Sequence, residues 1–477
     1  MNFRIKTFVF LIASLISILT ACQDKWEEHA GLQDAGLGQN LFQRIQAEPS
    51  LSKFSELLIK TKYSEVLASS KKYTVWAPSN DALANLSTDV LNDEQKLKDF
   101  IGYYIVELPY NTALATNTLR LKTLNGKYIY FSETKFEDAG LVTIDQHAGN
   151  GILHTVNKAV FAKQNIFDFI NASSFKQKEY LTSLNYEVID SAVAEQTGVD
   201  PVTGRPVYKP GTGIVQKNLL FDRVGSLKDE DQEYTVVLLA DASLETERTK
   251  IKPYTQGKNA DSTERLASLM VMKDLVFKGK YTLNNLPNIL ISEDGVEVPI
   301  DKSSIQNSYE TSNGMVYVMS QVNVPLRNKI RDVRQEGETP VGFSRTDKSA
   351  NIKYRQRRNP ITQELFDDIY IFNHKIPLFH ARYRIKDLYS IKYKVYWVAP
   401  NDVQTLTFKQ RFAISDPAST SFAETQVNLK NFSEVYVGEY TISNYGDYNA
   451  FVIAANNGVD ATNSINLDYF RLEPQLP

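Results

Sequence analysis

The sequence predicts a multidomain chain of mixed class, with two α+β domains in tandem followed by an all-β sandwich. Three observations lead there. A pair of short apolar boxes occurs in the first third of the chain and returns, altered, in the second third. Helical spacing organises the N-terminal region, whereas from about Ser349 short β-rich runs alternate with turn residues. At 477 residues the chain exceeds what one core organises and suits three domains of ordinary size.

Residues 1–21 read as a signal peptide, outside the fold. Arg4 and Lys6 give a positive start, and Phe8 to Leu19 is apolar but too short to span a bilayer. Leu19-Thr20-Ala21-Cys22 then resembles a bacterial lipobox, which implies a lipoprotein acylated on Cys22. Cys22 is the one cysteine of the sequence, so no disulfide can form within the chain. Acyl chains contribute about 0.8 kcal/mol per buried methylene, and two or more anchor stably. The acidic stretch Gln23-Asp24-Lys25-Trp26-Glu27-Glu28 is similar to the export tag of surface lipoproteins in polysaccharide-foraging Gram-negative bacteria. With three glycines in His29–Asn40, residues 22–40 are expected to form a flexible tether. The expected location is the outer membrane, lipid-anchored and facing the exterior.

The first domain is expected over residues 41–163. Leu41, Ile45, Phe54, Leu57, Leu58 and Leu67 recur at helical spacing, and Glu48-Pro49-Ser50 divides them between two helices. Tyr73 to Ala77 suits a buried strand, which Pro78 must end. Ser79, Asn80 and Asp81 offer caps for a helix starting near Ala82, and Asp93 to Tyr104 reads as another helix. Asn150-Gly151 is a hairpin signal, with Ile152 to Val156 as the returning strand. The boxes Tyr73–Leu83 and Gly149–Val160, with Phe100–Val106 and Thr123-Leu124-Asn125-Gly126 between them, resemble the fasciclin-like domain. Tyr104 stands where that family carries a histidine. The resemblance implies adhesion or ligand binding, not catalysis.

The second domain, residues 164–327, resembles a diverged member of the same family. Tyr234–Leu244 lacks the Ala-Pro of the first box, and in Ser312–Val322 Tyr317 replaces the histidine. Thr197 to Gly213, dense in Gly, Pro and Thr, is expected to be an exposed loop insertion. Residues 328–348 are rich in charge and read as a linker.

Residues 349–477 predict the β-sandwich, with β-rich runs such as Ile391–Val398 and Tyr436–Tyr440. The last run, Ile465–Pro474, resembles the closing strand of galactose-binding-like jelly rolls, which implies a carbohydrate-binding or docking module. Asp468 matches the acid that holds a structural calcium in some of those modules, so calcium is the one candidate cofactor. Sugars present C–H faces that stack on aromatic rings and hydroxyls that need polar neighbours. Asn444-Tyr445-Gly446-Asp447-Tyr448-Asn449 combines both in a turn, making Tyr445, Asp447, Tyr448 and Asn449 candidate ligand-binding residues. Trp397 reads either as a further stacking ring or as sandwich core.

No catalytic constellation emerges. The sequence has no G-x-S-x-G elbow, P-loop or His-Glu-x-x-His pair, and its five histidines are scattered. His374 and His380 read as a polar surface pair, and Arg355-Gln356-Arg357-Arg358 as a solvated loop. A net charge of −3 with no strongly basic face argues against nucleic acid as a partner. The expectation is a non-enzymatic surface lipoprotein that binds polysaccharide or serves beside a TonB-dependent importer and its binding lipoprotein. The alternative is an adhesin or structural module that binds protein. Cys22→Ser is expected to abolish acylation; equal palmitate labelling of wild type and variant would refute the lipoprotein reading.

Overall fold

The computed structural model describes residues 35–455 and 463–477, so Cys22 and most of the expected tether lie outside the described residues. The chain divides into two compact units, one ending at Gln164 and one spanning Asn165–Pro477.

The first unit begins with three α-helices, not two. Asn40 caps Leu41–Gln46 in a reciprocal box with Gln43, and Pro49 opens a 3₁₀ turn that leads into Ser52–Lys60. Lys62 then takes a left-handed conformation (φ 63°), separating Ser52–Lys60 from Tyr63–Ala68 without the glycine or proline that would announce it. The helix expected from Ala82 is reduced to a turn. Asn80 is occupied elsewhere, accepting from the Lys53 amide at 2.9 Å and donating to the Pro49 carbonyl at 2.9 Å.

A seven-stranded sheet completes this unit. Tyr73–Pro78 lies between Ile105–Glu107, antiparallel, and Gly151–Val156, parallel, with Tyr73 opposite Gly151. Both central strands are buried along their whole length. A Cβ at Gly151 (φ 157°) would fall 2.0 Å from the Tyr73 carbonyl oxygen, so only glycine admits this approach. The neighbouring Asn150 is buried and fully used. Its carboxamide oxygen accepts from the Leu41 amide at 2.7 Å, and its nitrogen donates to the Leu67 and Ser69 carbonyls at 2.8 and 2.7 Å. One side chain thus ties the start of the first helix and the end of the third to the hairpin.

The same wiring recurs in the second unit. Tyr234–Leu239 lies between Val276–Lys278, antiparallel, and Gly314–Met319, parallel, with Tyr234 opposite Gly314. Asn313 accepts from the Ile166 amide at 2.8 Å and donates to the Leu227 and Asp229 carbonyls, both at 3.0 Å. Even the altered box position keeps its role. His154 takes a proton acceptor's part at Nδ1 toward the Asp145 amide, leaving Nε2 to donate to the Tyr110 carbonyl at 3.0 Å. In the second unit the Tyr317 hydroxyl donates to the Tyr281 carbonyl at 2.7 Å. Tyr110 and Tyr281 are equivalent, since their amides bond the hydroxyls of Thr74 and Thr235 at 2.7 and 2.9 Å. The expected loop insertion is an exposed β-ribbon, formed by Asn185–Ile189 with Ile214–Asn218 and by Gln196–Val199 with Pro206–Tyr208.

The sandwich packs a four-stranded sheet, in which Tyr469–Pro474 and Lys392–Val398 are central, against a five-stranded sheet centred on Gly446–Ala454. Phe470 meets Tyr383 and Phe412 of the facing sheet at ring-centroid distances of 5.4 and 5.0 Å. A third sheet joins Ile352–Arg358, Leu365–Ile371 and Ile465–Leu467.

Residues 328–348 are not a linker. Val333–Glu336 pairs with Tyr469–Pro474 at the edge of one sandwich sheet, and Gly342–Phe343 pairs with His380–Leu388 at the edge of the other. The core of the second unit runs without interruption from Ile166 through Met270 and Tyr389 to Leu472. A chain of paired charges crosses the same seam. Lys329 donates to Asp274 at 2.5 Å, Lys273 bridges Asp274 and Asp294, and Arg223 approaches Asp294 at 3.9 Å and grips Asp387 through its two terminal guanidinium nitrogens. Lys273, Asp274 and Lys329 are buried. Burial alone would lower the Lys273 pKa, but Asp274 and Asp294 outweigh it and hold the ammonium charged.

Asn150→Ala and Asn313→Ala should each destabilise by about 3 kcal/mol, because three backbone groups lose their buried partner at once. Urea melts would show this as a lowered midpoint at unchanged slope; wild-type midpoints would refute it.

Candidate functional site

The expected sugar-binding turn is occupied by the protein itself. The Tyr445 hydroxyl donates to Asp387 at 2.6 Å and accepts from Arg223 at 3.3 Å, while its ring meets Tyr389 edge-on at 5.3 Å. Its amide bonds the Gln256 carbonyl at 2.7 Å, so the turn is docked on the preceding α+β region. Burial, then the bond to Asp387, pushes the Tyr445 hydroxyl well above its ordinary value. For Asp387 burial acts upward, but the bonds from Arg223 and Tyr445 prevail and hold it ionised. Asp447 pairs with Arg384 at 3.2 Å and accepts from the Asp387 amide at 3.1 Å. Tyr448 bonds the Asn444 carbonyl at 2.7 Å, and Asn449 is a strand residue opposite Arg384. Trp397 is 0% exposed and belongs to the sandwich core. Trp397 is thus committed to the core and Tyr445 to the seam, whereas Asp447 is exposed and Tyr448 and Asn449 are half-buried at the edge of the turn.

Two other expectations are corrected. His374 is buried, its ring tilted against Phe379 with centroids 4.8 Å apart, and is not half of a surface pair. Arg355–Arg358 is not a solvated loop but part of a strand. Arg355 bonds Asp368 through two nitrogens at 2.8 and 2.7 Å, and Arg357 joins them at 2.9 Å. Asp368 is fully buried, so this carboxylate needs both guanidinium groups.

Asp468 is the bend between the strands Ile465–Leu467 and Tyr469–Pro474, 8% exposed, with Oδ1 lacking a hydrogen-bond partner among the described residues. Burial raises its carboxyl to about 7; Arg334 opposes the shift, and Glu336, Asp368 and Glu338 add to it. Glu338 is raised as well, mainly by burial, and its Oε2 has no partner among the described residues. Among those residues, no group of three or more His, Cys, Asp or Glu side chains is arranged to hold a metal ion. Burial is the main force against its charged form, with the nearby carboxylates of Glu336, Asp368 and Glu338 adding to it.

An open aromatic surface lies elsewhere on the sandwich. Phe343, Arg345, Thr346, Ser349, Ile352 and Tyr354 line a groove of about 270 Å³. Ile352 and Tyr354 are two apart on one strand and so share a face, while Arg355 and Arg357 turn the other way toward Asp368. Phe343 sits on an edge strand, backed by Phe379 at 6.2 Å with ring planes 27° apart. Tyr354 is 56% exposed. Arg345 binds Asp347 through two nitrogens at 3.0 and 3.1 Å, which holds that carboxylate below its ordinary range. The groove therefore offers two aromatic rings, two hydroxyl side chains and a guanidinium. The signal in the sequence was the alternation of Tyr354 with the arginines, hidden by the density of positive charge.

Comparison with known proteins places a Fasciclin domain at residues 49–161. Among solved structures, the chain is similar to a FAS1 domain pair from the insect cell adhesion molecule Fasciclin I, at 14% identity and TM-score 0.24, covering 59% of this chain and 99% of that one. It is also similar to a CBM36-1 domain of a multidomain xylanase from the hindgut metagenome of Trinervitermes trinervoides, at 13% identity and TM-score 0.20, covering 31% and 100%. A family 35 carbohydrate binding module from Clostridium thermocellum gives 10% identity and TM-score 0.22, covering 30% and 99%. No curated protein matches the chain.

The raised Asp468 predicts a pH signature. Below about pH 4 its carboxyl is neutral folded and unfolded, and the group costs nothing. As pH rises toward 7 the unfolded chain gains from ionising while the folded one does not, so stability falls, and above 7 the full cost persists. Asp468→Asn should therefore melt with the wild type near pH 4 and progressively higher than it up to pH 8. A constant difference across that range would contradict the argument. Calcium that raised the wild-type melting temperature at pH 8, but not that of the variant, would show that Asp468 belongs to a cation site.

Proposed function

We propose that the chain is a non-enzymatic binding protein of the cell surface, whose sandwich holds glycan in the groove beside Tyr354. The observation that carries this reading is the exposed Tyr354 ring, which shares a concave surface with Phe343, Thr346, Ser349 and Arg345. A sugar ring would stack its C–H face on Tyr354, and the hydroxyls of Thr346 and Ser349 with the Arg345 guanidinium would bond its periphery. Asp347, nearest in sequence, is committed to Arg345 and kept ionised, a state suited to accepting hydrogen bonds and not to donating a proton.

Two fasciclin-like domains in tandem complete the proposal. The support for the second is the repeated placement of Asn150 and Asn313, Gly151 and Gly314, and His154 and Tyr317. Acylation of Cys22 would tether the chain to the outer membrane, where it would serve as an accessory to a TonB-dependent glycan importer. The second reading, a protein-binding adhesin, draws on the β-ribbon, where Ile189 and Ile214 face each other across the strands, 56% and 50% exposed.

Calorimetric titration of the chain with polysaccharides chosen from a glycan array tests the first reading. Tyr354→Ala should weaken binding by about 1 kcal/mol, roughly fivefold, with little change in melting temperature. Unaltered affinity in that variant, or no glycan binding together with capture of an outer-membrane protein, would reject the groove in favour of the adhesin.

A further inference from the structure

A second cleft, of about 420 Å³, opens where the segment after Leu326 meets the final residues of the sandwich. Its chemistry follows from the sequence Leu326-Arg327-Asn328-Lys329-Ile330-Arg331-Asp332. Lys329 turns inward to the buried Asp274, and Ile330 enters the core. Arg327 and Arg331 are exposed and line the cleft, and neither has an ion pair with another described residue. Asp332 and Glu473 line the same cleft, but both are bound by Arg471, at 2.5 and 3.1 Å. Pro474 and Leu476 add apolar surface to the cleft.

We propose that this cleft binds a carboxylate-bearing oligosaccharide, with Arg327 and Arg331 gripping the sugar carboxylate. Guanidinium groups match a carboxylate in a two-pronged geometry that a lysine cannot reproduce. The fixed carboxylates of Asp332 and Glu473 accept hydroxyl hydrogen bonds, and the apolar surface suits a sugar's C–H face. A bare dianion such as sulfate or phosphate has no hydroxyls to offer and is repelled by those same carboxylates, so the lining selects an acidic sugar over a simple anion. The volume falls within the range of small-ligand clefts. No residue of this cleft belongs to the Tyr354 groove, and the proposal does not rest on it.

The test is calorimetric titration of the chain with trigalacturonate, with cellotriose as the neutral counterpart. The expected result is trigalacturonate binding that weakens with added salt and drops at least tenfold in the double variant Arg327→Ala/Arg331→Ala, while Tyr354→Ala leaves it unchanged. Cellotriose should not displace the acid sugar. Melting curves check that the double variant folds. Should it not, Arg327→Lys/Arg331→Lys retains the charges and is expected to lose at least threefold through the missing fork. Absence of trigalacturonate binding, equal affinity in the folded variants, or displacement by sulfate at equal concentration would overturn the proposal.

Discussion

The second unit depends on a line of charges that cannot be left unpaired. From Lys329 it runs through Asp274, Lys273 and Asp294 to Arg223, Asp387 and the Tyr445 hydroxyl. Three of its members are buried, where an isolated charge would cost several kcal/mol, and removal of either partner of a buried pair would leave the other stranded. Formal charges balance along the line: three bases against three acids. Its consequence is geometric. The α+β part of the unit and the sandwich share one core, and the segment between them is drawn into both sandwich sheets.

A similar economy governs the repeated boxes. A parallel strand pair needs a long crossover, and here the point where the two strands meet is closed by a glycine and the carboxamide beside it. Asn150 and Asn313 each satisfy an amide and two carbonyls that would otherwise be buried unpaired. The substitution of tyrosine for histidine between the boxes preserves function at the level of the hydrogen bond. A donor is required at the carbonyl that follows the threonine-bonded amide, and either side chain supplies one. His154 performs this role uncharged, since burial lowers its pKa against the pull of the Tyr110 carbonyl and Asp145.

In the sandwich, the division between structural and available aromatics follows strand alternation. Tyr383, Tyr393, Trp397 and Phe470 point into the core, and Tyr445 is drawn into the seam. Tyr354 lies on the face opposite Arg355 and Arg357, which reach the buried Asp368, and at this edge of the sheet its ring stays 56% exposed. In the helical turn Leu326–Lys329 and just after it, Lys329 is buried against Asp274 while Arg327 and Arg331 are exposed. Both candidate ligand surfaces therefore arise from buried carboxylates that claim the neighbouring side chains.

The sequence by itself determined the local events. Tyr73 to Pro78 had to be a buried strand ended by proline, Asp93 caps the helix that follows it, and Asn150-Gly151 turns the hairpin. These depend on propensity, capping and backbone freedom, which a short window of residues contains. Tertiary structure alone decided which polar residues were free. Tyr445 meets Arg223 across 222 positions, and Lys329 meets Asp274 across 55. Nothing near Tyr445 distinguishes a tyrosine that stacks on a ligand from one that satisfies a distant aspartate. Residues 328–348 read as a linker for the same reason. Short edge strands with few apolar residues have no signature until the sheets that accept their hydrogen bonds are in place.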